Sequence, residues 1–535
     1  MRPRTIPLCV LEPWPGAAGR PAVVVDDESV TFERLQRDCL NYAHGLFEAG
    51  LGPGDHVGIL MANGVEWIEA FLAVALLGAV SVPLNTRHET DELRYVAAHA
   101  GLAAIITTAR PAGSTDLAEL VRRSLPESWG NDPPDGYARL CPLRVFIEGS
   151  DDPSTPSPGR LRSTVALKDE KVVAAARSVQ PSDIATVLYT SGTTSRPKGC
   201  MMSHEALVRT GAARFDERRR SIGPQTVWSP CPLFHVGALV PLLGCLATGS
   251  TFVTTRLFEA TRSLQTIERE RVTVALPLFS AFTDALLDSP DFEPADLRSL
   301  GSILTTGPIS GVERAQHAFA PAKLVSGYGM TELCGVAAST PVDEDDDDTL
   351  VWSGRPFEGI EMTVVDPEDG TPLPPGQLGE IIARGYCTVT SYLHDAEATS
   401  AAFDEDGWFH TGDMGIASPD GRIAFRGRFK DMLKVGGENV SALEVEEFLS
   451  RHPAVRRAEV VGTPDARLNE VVAAFIELAP GHNATAEEII SFCRGRISRF
   501  KVPRVVDFVE SDQWPMSATK VDKIRLRERI GRAHR

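Results

Sequence analysis

Thr190-Ser191-Gly192-Thr193-Thr194-Ser195-Arg196-Pro197-Lys198-Gly199 follows directly on the apolar stretch Ile184 to Tyr189. Read in order, this is a buried strand and then a polar loop holding hydroxyls, glycine and the cations Arg196 and Lys198. Freed backbone amides, hydroxyl donors and cations can converge on the oxygens of a polyphosphate. The spacing G-x-x-x-x-G-K-[ST] is missing, so this is not a Walker loop. By composition alone such a loop is often only a turn after a strand.

Working outward, Val57 to Leu60, Val272 to Leu276 and Ile303 to Thr305 read as further short buried strands. Most of them are followed by Gly or Pro turns and helix-forming stretches. Val30-Thr31-Phe32 opens a helical pattern through Leu35, Leu40 and Leu46. The alternation predicts an α/β architecture. Residues 124–161, rich in Pro, Ser, Gly and Asp, and the acidic run 343–348 are expected to be solvated loops. No internal repeat is present.

After about residue 427 the texture changes to a smaller unit. Ser441, with Glu444 three residues on, predicts a capping box before Val445, Phe448 and Leu449, and Val471 to Ile476 reads as a strand. The final stretch, with Arg525, Arg527, Arg529, Arg532 and Arg535 between Ile524, Leu526 and Ile530, is expected to be an exposed helix. The expected division is 1–427 and 428–535.

A chain of 535 residues is several times the commonest domain size. Its net charge of −18 disfavours nucleic acid and anionic membrane surfaces as partners. The longest apolar run, Ala70 to Val80, is too short to span a bilayer, and the segment after Met1 lacks a signal-peptide core. Nine cysteines with no C-x-x-C pair suggest free thiols in a reducing cytoplasm. Neither a zinc cage nor a disulfide framework is indicated.

The loop at 190–199 resembles the signature loop of the adenylate-forming superfamily, which contains acyl-CoA synthetases, peptide-synthetase adenylation domains and beetle luciferases. Further matches follow in order: Tyr328-Gly329-Met330-Thr331-Glu332, Gly379-Glu380 to Gly385, Tyr392-Leu393, His410-Thr411-Gly412-Asp413, Gly427-Arg428 to Gly437, Phe500-Lys501-Val502-Pro503 and Lys520. They cover the chain from about Thr31 to Lys523. The resemblance implies an α/β fold with a large N-terminal domain of several subdomains and a small, mobile C-terminal α+β domain. It implies that ATP, Mg²⁺ and CoA are used.

Roles follow from the same resemblance. Thr190, Ser191, Gly192, Thr193, Thr194 and Lys198 wrap the β- and γ-phosphates, Glu332 holds Mg²⁺ and Thr331 donates to the α-phosphate. Tyr328 offers a face to adenine, with Gly329 beside it in the motif and Gly307 allowing close approach on the other side. Asp413 accepts from the ribose hydroxyls, and Arg428 reaches ribose or phosphate. Lys520 bridges carboxylate and α-phosphate, acting by charge. Lys430 is the hinge, and Gly436 and Gly437 form a pantetheine tunnel.

Pro232-Leu233-Phe234-His235-Val236-Gly237 looks like the acyl pocket of acyl- and aryl-CoA ligases, with His235 and Gly237 at its wall. A neutral imidazole pairs poorly with an ammonium, so amino acids are disfavoured. His235 lines or gates the pocket, or is a satisfied structural histidine. Ser326 and Gly327 are small and leave room for a bulky acyl group. Ser195 and Thr519 stand where glycine is usual in the family, and a Cβ there would hinder adenylation if the backbone needs positive φ.

The expectation is therefore an acyl-CoA synthetase, an AMP-forming acid-CoA ligase acting on a small-molecule carboxylic acid and CoA. No nucleic-acid partner and no membrane span are expected; a homodimer is one assembly the sequence allows. The alternatives are a thioester-forming ligase that adenylates poorly, a ligase that loads a carrier protein in trans, and a silent acyl- or nucleotide-binding protein.

Overall fold

The computed structural model describes residues 4–109, 113, 115–125, 144–148, 170–190, 196–307, 309–342, 350–435, 438–465, 467–516 and 521–533. Two seven-stranded sheets form its larger part. The first runs, in spatial order, Lys323–Val325, Ser302–Thr306, Val274–Phe279, Thr226–Trp228, Thr251–Thr254, Pro21–Val25 and Glu28–Thr31. All its neighbours are parallel except the last pair. The second runs Ser391–Tyr392, Lys198–Ser203, Ile184–Thr190, Val80–Pro83, His56–Leu60, Ala104–Thr108 and Arg144–Glu148.

One core joins the two sheets. Val57 and Ile59 of one sheet share it with Val23 and Phe252 of the other. The helices Val65–Leu76 and Val236–Thr248 are apolar on nearly every side, as elements buried all round must be. Where Val236–Thr248 meets the helix His204–Ile222, the backbones touch at two glycines. A Cβ on Gly211 would strike the Val240 carbonyl, and one on Gly244 would strike the Gly211 carbonyl.

Two smaller antiparallel sheets sit on this frame. One holds Gly327–Met330, Gly335–Ser339 and Arg355–Pro356, the other Ile360–Val365, Gly379–Gly385, Phe409–Ala417 and Ile423–Arg428. The C-terminal domain has a five-stranded sheet, in which Val455–Asp465 and Asn469–Leu478 pair over most of their length, and its own apolar clusters. The large-plus-small α/β architecture expected from the sequence is present.

Three local expectations are corrected. Within 124–161, read as loop, Arg144–Glu148 pairs in parallel with Ala104–Thr108, its Val145 and Phe146 meeting Ile105 and Ile106. The acidic run 343–348 lies outside the described residues. The last helix, Lys523–Ala533, is not simply exposed, because Leu526 and Ile530 are buried with Val461 and Phe475. Of the capping box only one half forms: Ser441 accepts from the Glu444 N–H, while the Glu444 carboxylate is drawn to Lys501.

Candidate active site

The site is built around the hairpin of Gly327–Met330 and Gly335–Ser339. Gly329 has no room for a side chain, since a Cβ there would run into the Gly335 carbonyl. That tight approach sets Tyr328 inward, 4% exposed, and leads into the turn Thr331–Leu333 that carries Glu332. The Tyr328 ring lies at 29° to that of Phe425, with centroids 6.1 Å apart. Its hydroxyl donates to Asp413 Oδ2 at 2.8 Å.

Asp413 owes its position to a braced turn. Gly412 takes φ +68°, a conformation that suits glycine. Glu380 grips both sides of it, accepting from the Gly412 N–H at 2.9 Å and contacting His410 Nδ1 at 2.8 Å. Thr411 donates to the Ile381 carbonyl and accepts from the Asp413 N–H. Arg428 Nε then reaches Asp413 Oδ1 at 2.8 Å. Burial works to lower the Arg428 guanidinium, but Asp413, Glu332 and Tyr328 outweigh it and leave it raised and charged. Oδ2 thus has a hydrogen-bond donor, while buried Oδ1 has the Arg428 ion pair but no hydrogen bond of good geometry among the described residues, and both oxygens keep acceptor positions open toward the cleft.

Thr190 and Lys198 are directly paired across two antiparallel strands, on either side of residues 191–197 in the sequence. Lys198 Nζ lies 4.9 Å from the centre of the Tyr392 ring, whose hydroxyl donates to Glu332 Oε1 at 3.3 Å. Burial pushes the Glu332 carboxyl above its ordinary range. Burial likewise raises the Tyr392 phenol, with Glu332 adding to it. This end of the cleft therefore combines Lys198 with a carboxylate that would gain from a nearby cation.

On the opposite side, His235 caps the helix Val236–Thr248. Its Nδ1 accepts the Gly237 N–H at 3.0 Å, so that nitrogen carries no proton, and its ring meets Phe279 edge-on. His235 both lines the cleft and caps this helix. A Cβ on Gly237 would come within 2.8 Å of Leu278 Cδ1, and one on Gly307 within 2.8 Å of Ser280 Cβ. Ser326 is fixed through its backbone by Thr340, and Gly327 packs under Val336.

These groups face one cavity of about 2640 Å³, and every predicted site residue that the structure describes lies on it. Lys430 sits there in the short turn Phe429–Asp431, between the last strand of the four-stranded sheet and the first of the C-terminal domain. Ser191, Gly192, Thr193, Thr194, Ser195, Gly436, Gly437, Thr519 and Lys520 lie outside the described residues. Lys523 also lines the cavity, but its ammonium is held by Glu446 at 2.6 Å and Glu459 at 3.9 Å.

Several contributors escaped sequence reasoning. Glu380 was visible as part of a motif but without a role. Tyr392 was likewise a motif residue whose bond to Glu332 spans 60 positions. Thr210, Arg214 and the pair Arg456–Asp288, which links the two domains at 2.6 Å, carried no local signal.

The fold and this constellation define an adenylate-forming enzyme, and comparison with known proteins agrees. Residues 14–393 match the AMP-binding enzyme family, and residues 444–520 match the AMP-binding enzyme C-terminal domain. A 3-[(3aS,4S,7aS)-7a-methyl-1,5-dioxo-octahydro-1H-inden-4-yl]propanoyl:CoA ligase of Mycobacterium tuberculosis is 34% identical, over 95% of each chain. The o-succinylbenzoate CoA synthetase MenE of Bacillus subtilis, solved with its acyl-adenylate intermediate, superposes with a TM-score of 0.79 at 25% identity, covering 98% of this chain and 97% of its own. ATP-bound MatB from Rhodopseudomonas palustris shares the fold, with a TM-score of 0.84 at 24% identity over 99% of each chain. The chain belongs to the AMP-binding enzyme family, in its acyl-CoA synthetase branch, and is an AMP-forming acid-CoA ligase. No helix among the described residues is long and apolar enough to cross a membrane.

Proposed function

We propose that this chain joins a carboxylic acid to CoA in two half-reactions sharing one cleft. The acid's carboxylate attacks the α-phosphorus of ATP and expels pyrophosphate. The CoA thiol then attacks the acyl carbon, loses its proton and expels AMP. The observation that carries this reading is the meeting of Glu332, Asp413 and Arg428 with the paired strand ends Thr190 and Lys198 on one side, and with the wall of His235, Gly237 and Gly307 on the other.

Asp413 is proposed to hold the ribose, Tyr328 and Gly307 to flank adenine, and Thr331 with Arg428 to donate to phosphate oxygens as charge grows there. Glu332 suits Mg²⁺, being a hard oxygen donor whose carboxyl burial has raised. Among the described residues no group of three ligating side chains forms a cage, so triphosphate oxygens would complete the shell. Such an ion, when bound, offsets negative charge on the phosphates. Lys520 is assigned to the first half-reaction, and Gly436 and Gly437 to thiol access in the second. A rotation about Lys430, with the domain boundary at 427/428, exchanges the two. We assign the enzyme to the cytoplasm, where a reducing milieu suits the eight buried cysteine thiols among the described residues.

Two variants test the division of labour. Lys520→Ala should abolish acyl-AMP formation yet still convert supplied acyl-AMP and CoA to thioester, and equal loss in both assays sinks the assignment. Gly437→Trp should do the reverse. If Ser195 and Thr519 hinder the first step, pyrophosphate release will lag thioester formation from acyl-AMP, and Ser195→Gly with Thr519→Gly will raise it alone.

A further inference from the structure

The end of the cleft beyond His235 is not uniformly apolar. The contact of Gly211 with Gly244 draws the helix His204–Ile222 close against Val236–Thr248 and lays one of its faces along the cavity. Thr210 and Arg214, four residues apart and so neighbours on that face, both line it. Thr210 is 2% exposed, and its Oγ1 has no hydrogen-bond partner among the described residues. A buried hydroxyl left unmatched is costly, so such a group facing a cavity points to a ligand. Arg214 lies half-buried one turn on, its Nη1 donating to Ser339 Oγ at 3.0 Å. Val240 and Val336 supply apolar wall beside them.

An unsubstituted hydrocarbon tail fits this end badly. It would seal the Thr210 hydroxyl against carbon and take water from the Arg214 guanidinium, held by Ser339, without offering it an acceptor. A hydrogen-bond-accepting oxygen on the tail corrects both faults, because Thr210 can donate to it and the guanidinium adds positive charge nearby. We infer that Thr210 and Arg214 are specificity-determining residues, and that the preferred substrates are carboxylic acids carrying an oxo group or a second carboxylate remote from the reacting carboxyl. The inference rests on the reading of the His235 side of the cleft as the acyl pocket.

The test compares octanoate, 7-oxooctanoate and octanedioate as substrates of the full-length enzyme, with acyl-CoA formation followed by mass spectrometry. The wild type should favour one or both oxygenated acids over octanoate by about tenfold in kcat/KM, the scale set by one good hydrogen bond. A preference for the diacid marks charge pairing with Arg214, and a preference for the oxo acid marks the Thr210 bond. Thr210→Val should cut the 7-oxooctanoate to octanoate ratio about tenfold, while Thr210→Ser keeps it. Arg214→Met should cut the octanedioate ratio more than the oxo ratio. A merely structural role lowers all three acids together and leaves the ratios in place, and that result overturns the inference. So does a wild type that prefers octanoate. Failure to form a thioester from any acid would instead strike down the ligase reading beneath it.

Discussion

Arg456 of the C-terminal domain reaches Asp288 at the end of the helix Ser280–Leu287, Nη2 to Oδ2 at 2.6 Å. The pair does not stand alone. Asp288 also takes Arg314 at 2.5 Å, and Arg456 also takes Glu477, which accepts from the Trp514 indole at 2.6 Å. A chain of charges thus runs from one domain into the other across the mouth of the cleft.

This chain should bias the orientation of the small domain. The pair is about one-third exposed, so its worth is on the order of 1 kcal/mol, or about fivefold in a two-state population. Arg456→Met leaves Asp288 paired with Arg314 and should shift the interdomain distance distribution in single-molecule fluorescence toward other orientations. Asp288→Asn should do the same without adding to it. A distribution indifferent to both changes, at low salt, shows that the link carries no bias.

Tyr328→Phe removes the hydroxyl that holds Asp413 Oδ2. A hydrogen bond to a charged group is worth about 1.5–3 kcal/mol, so ATP should bind about 10–100 times more weakly. Nucleotide titration of the variant checks this, with kcat at saturating ATP falling far less than the affinity. An unchanged dissociation constant would mean that Arg428 and the Glu380 brace suffice to position Asp413.

Gly329→Ala should be more damaging than its one methyl suggests. The Cβ meets backbone, which cannot swing aside as a side chain would. The hairpin must open, moving Tyr328 and Glu332 together, so both pyrophosphate release and thermal stability should drop. An alanine variant with wild-type melting and activity would refute the close approach.

Acid should loosen the chain through His204. The ring is 1% exposed, its Nδ1 accepts the Ile6 N–H, and burial lowers its pKa to about 4. With an unfolded value near 6.5, the unfolded chain binds the extra proton first as pH falls. Stability is therefore full above about pH 6.5 and is lost toward pH 4, by about 3 kcal/mol at most. His204→Asn keeps an acceptor without the titration, so denaturant melts at pH 7 and pH 4.5 should differ less for it by about that amount.

What the sequence revealed followed the range over which residues act. Tyr328 to Glu332 and His410 to Asp413 work as contiguous stretches, each shaped by its own turn, so their composition carried their meaning. The α/β alternation was legible because parallel strands buried on both faces read as unbroken apolar runs. Arg144–Glu148 escaped because it is an edge strand inside a Pro- and Ser-rich stretch, where composition outweighed pattern. The polar pair Thr210 and Arg214 sits on a helix whose face toward the cleft is set by the glycine contact with Val236–Thr248, which no local window contains. Arg456 and Asp288 are 168 positions apart, and only tertiary structure brings them together.

The glycine contact also limits how this enzyme can change. Because neither Gly211 nor Gly244 can accept even a methyl group, the two helices sit as near as their backbones allow and form a wall that cannot be thickened residue by residue. A lineage adapting to a shorter or longer acid must alter the facing side, around Val336 and Ser326, or exchange the side chains that the fixed wall displays. Libraries that randomise Thr210 and Arg214 while keeping both glycines should therefore yield folded enzymes of altered acid preference, whereas libraries that randomise the glycines should yield mostly unfolded chains.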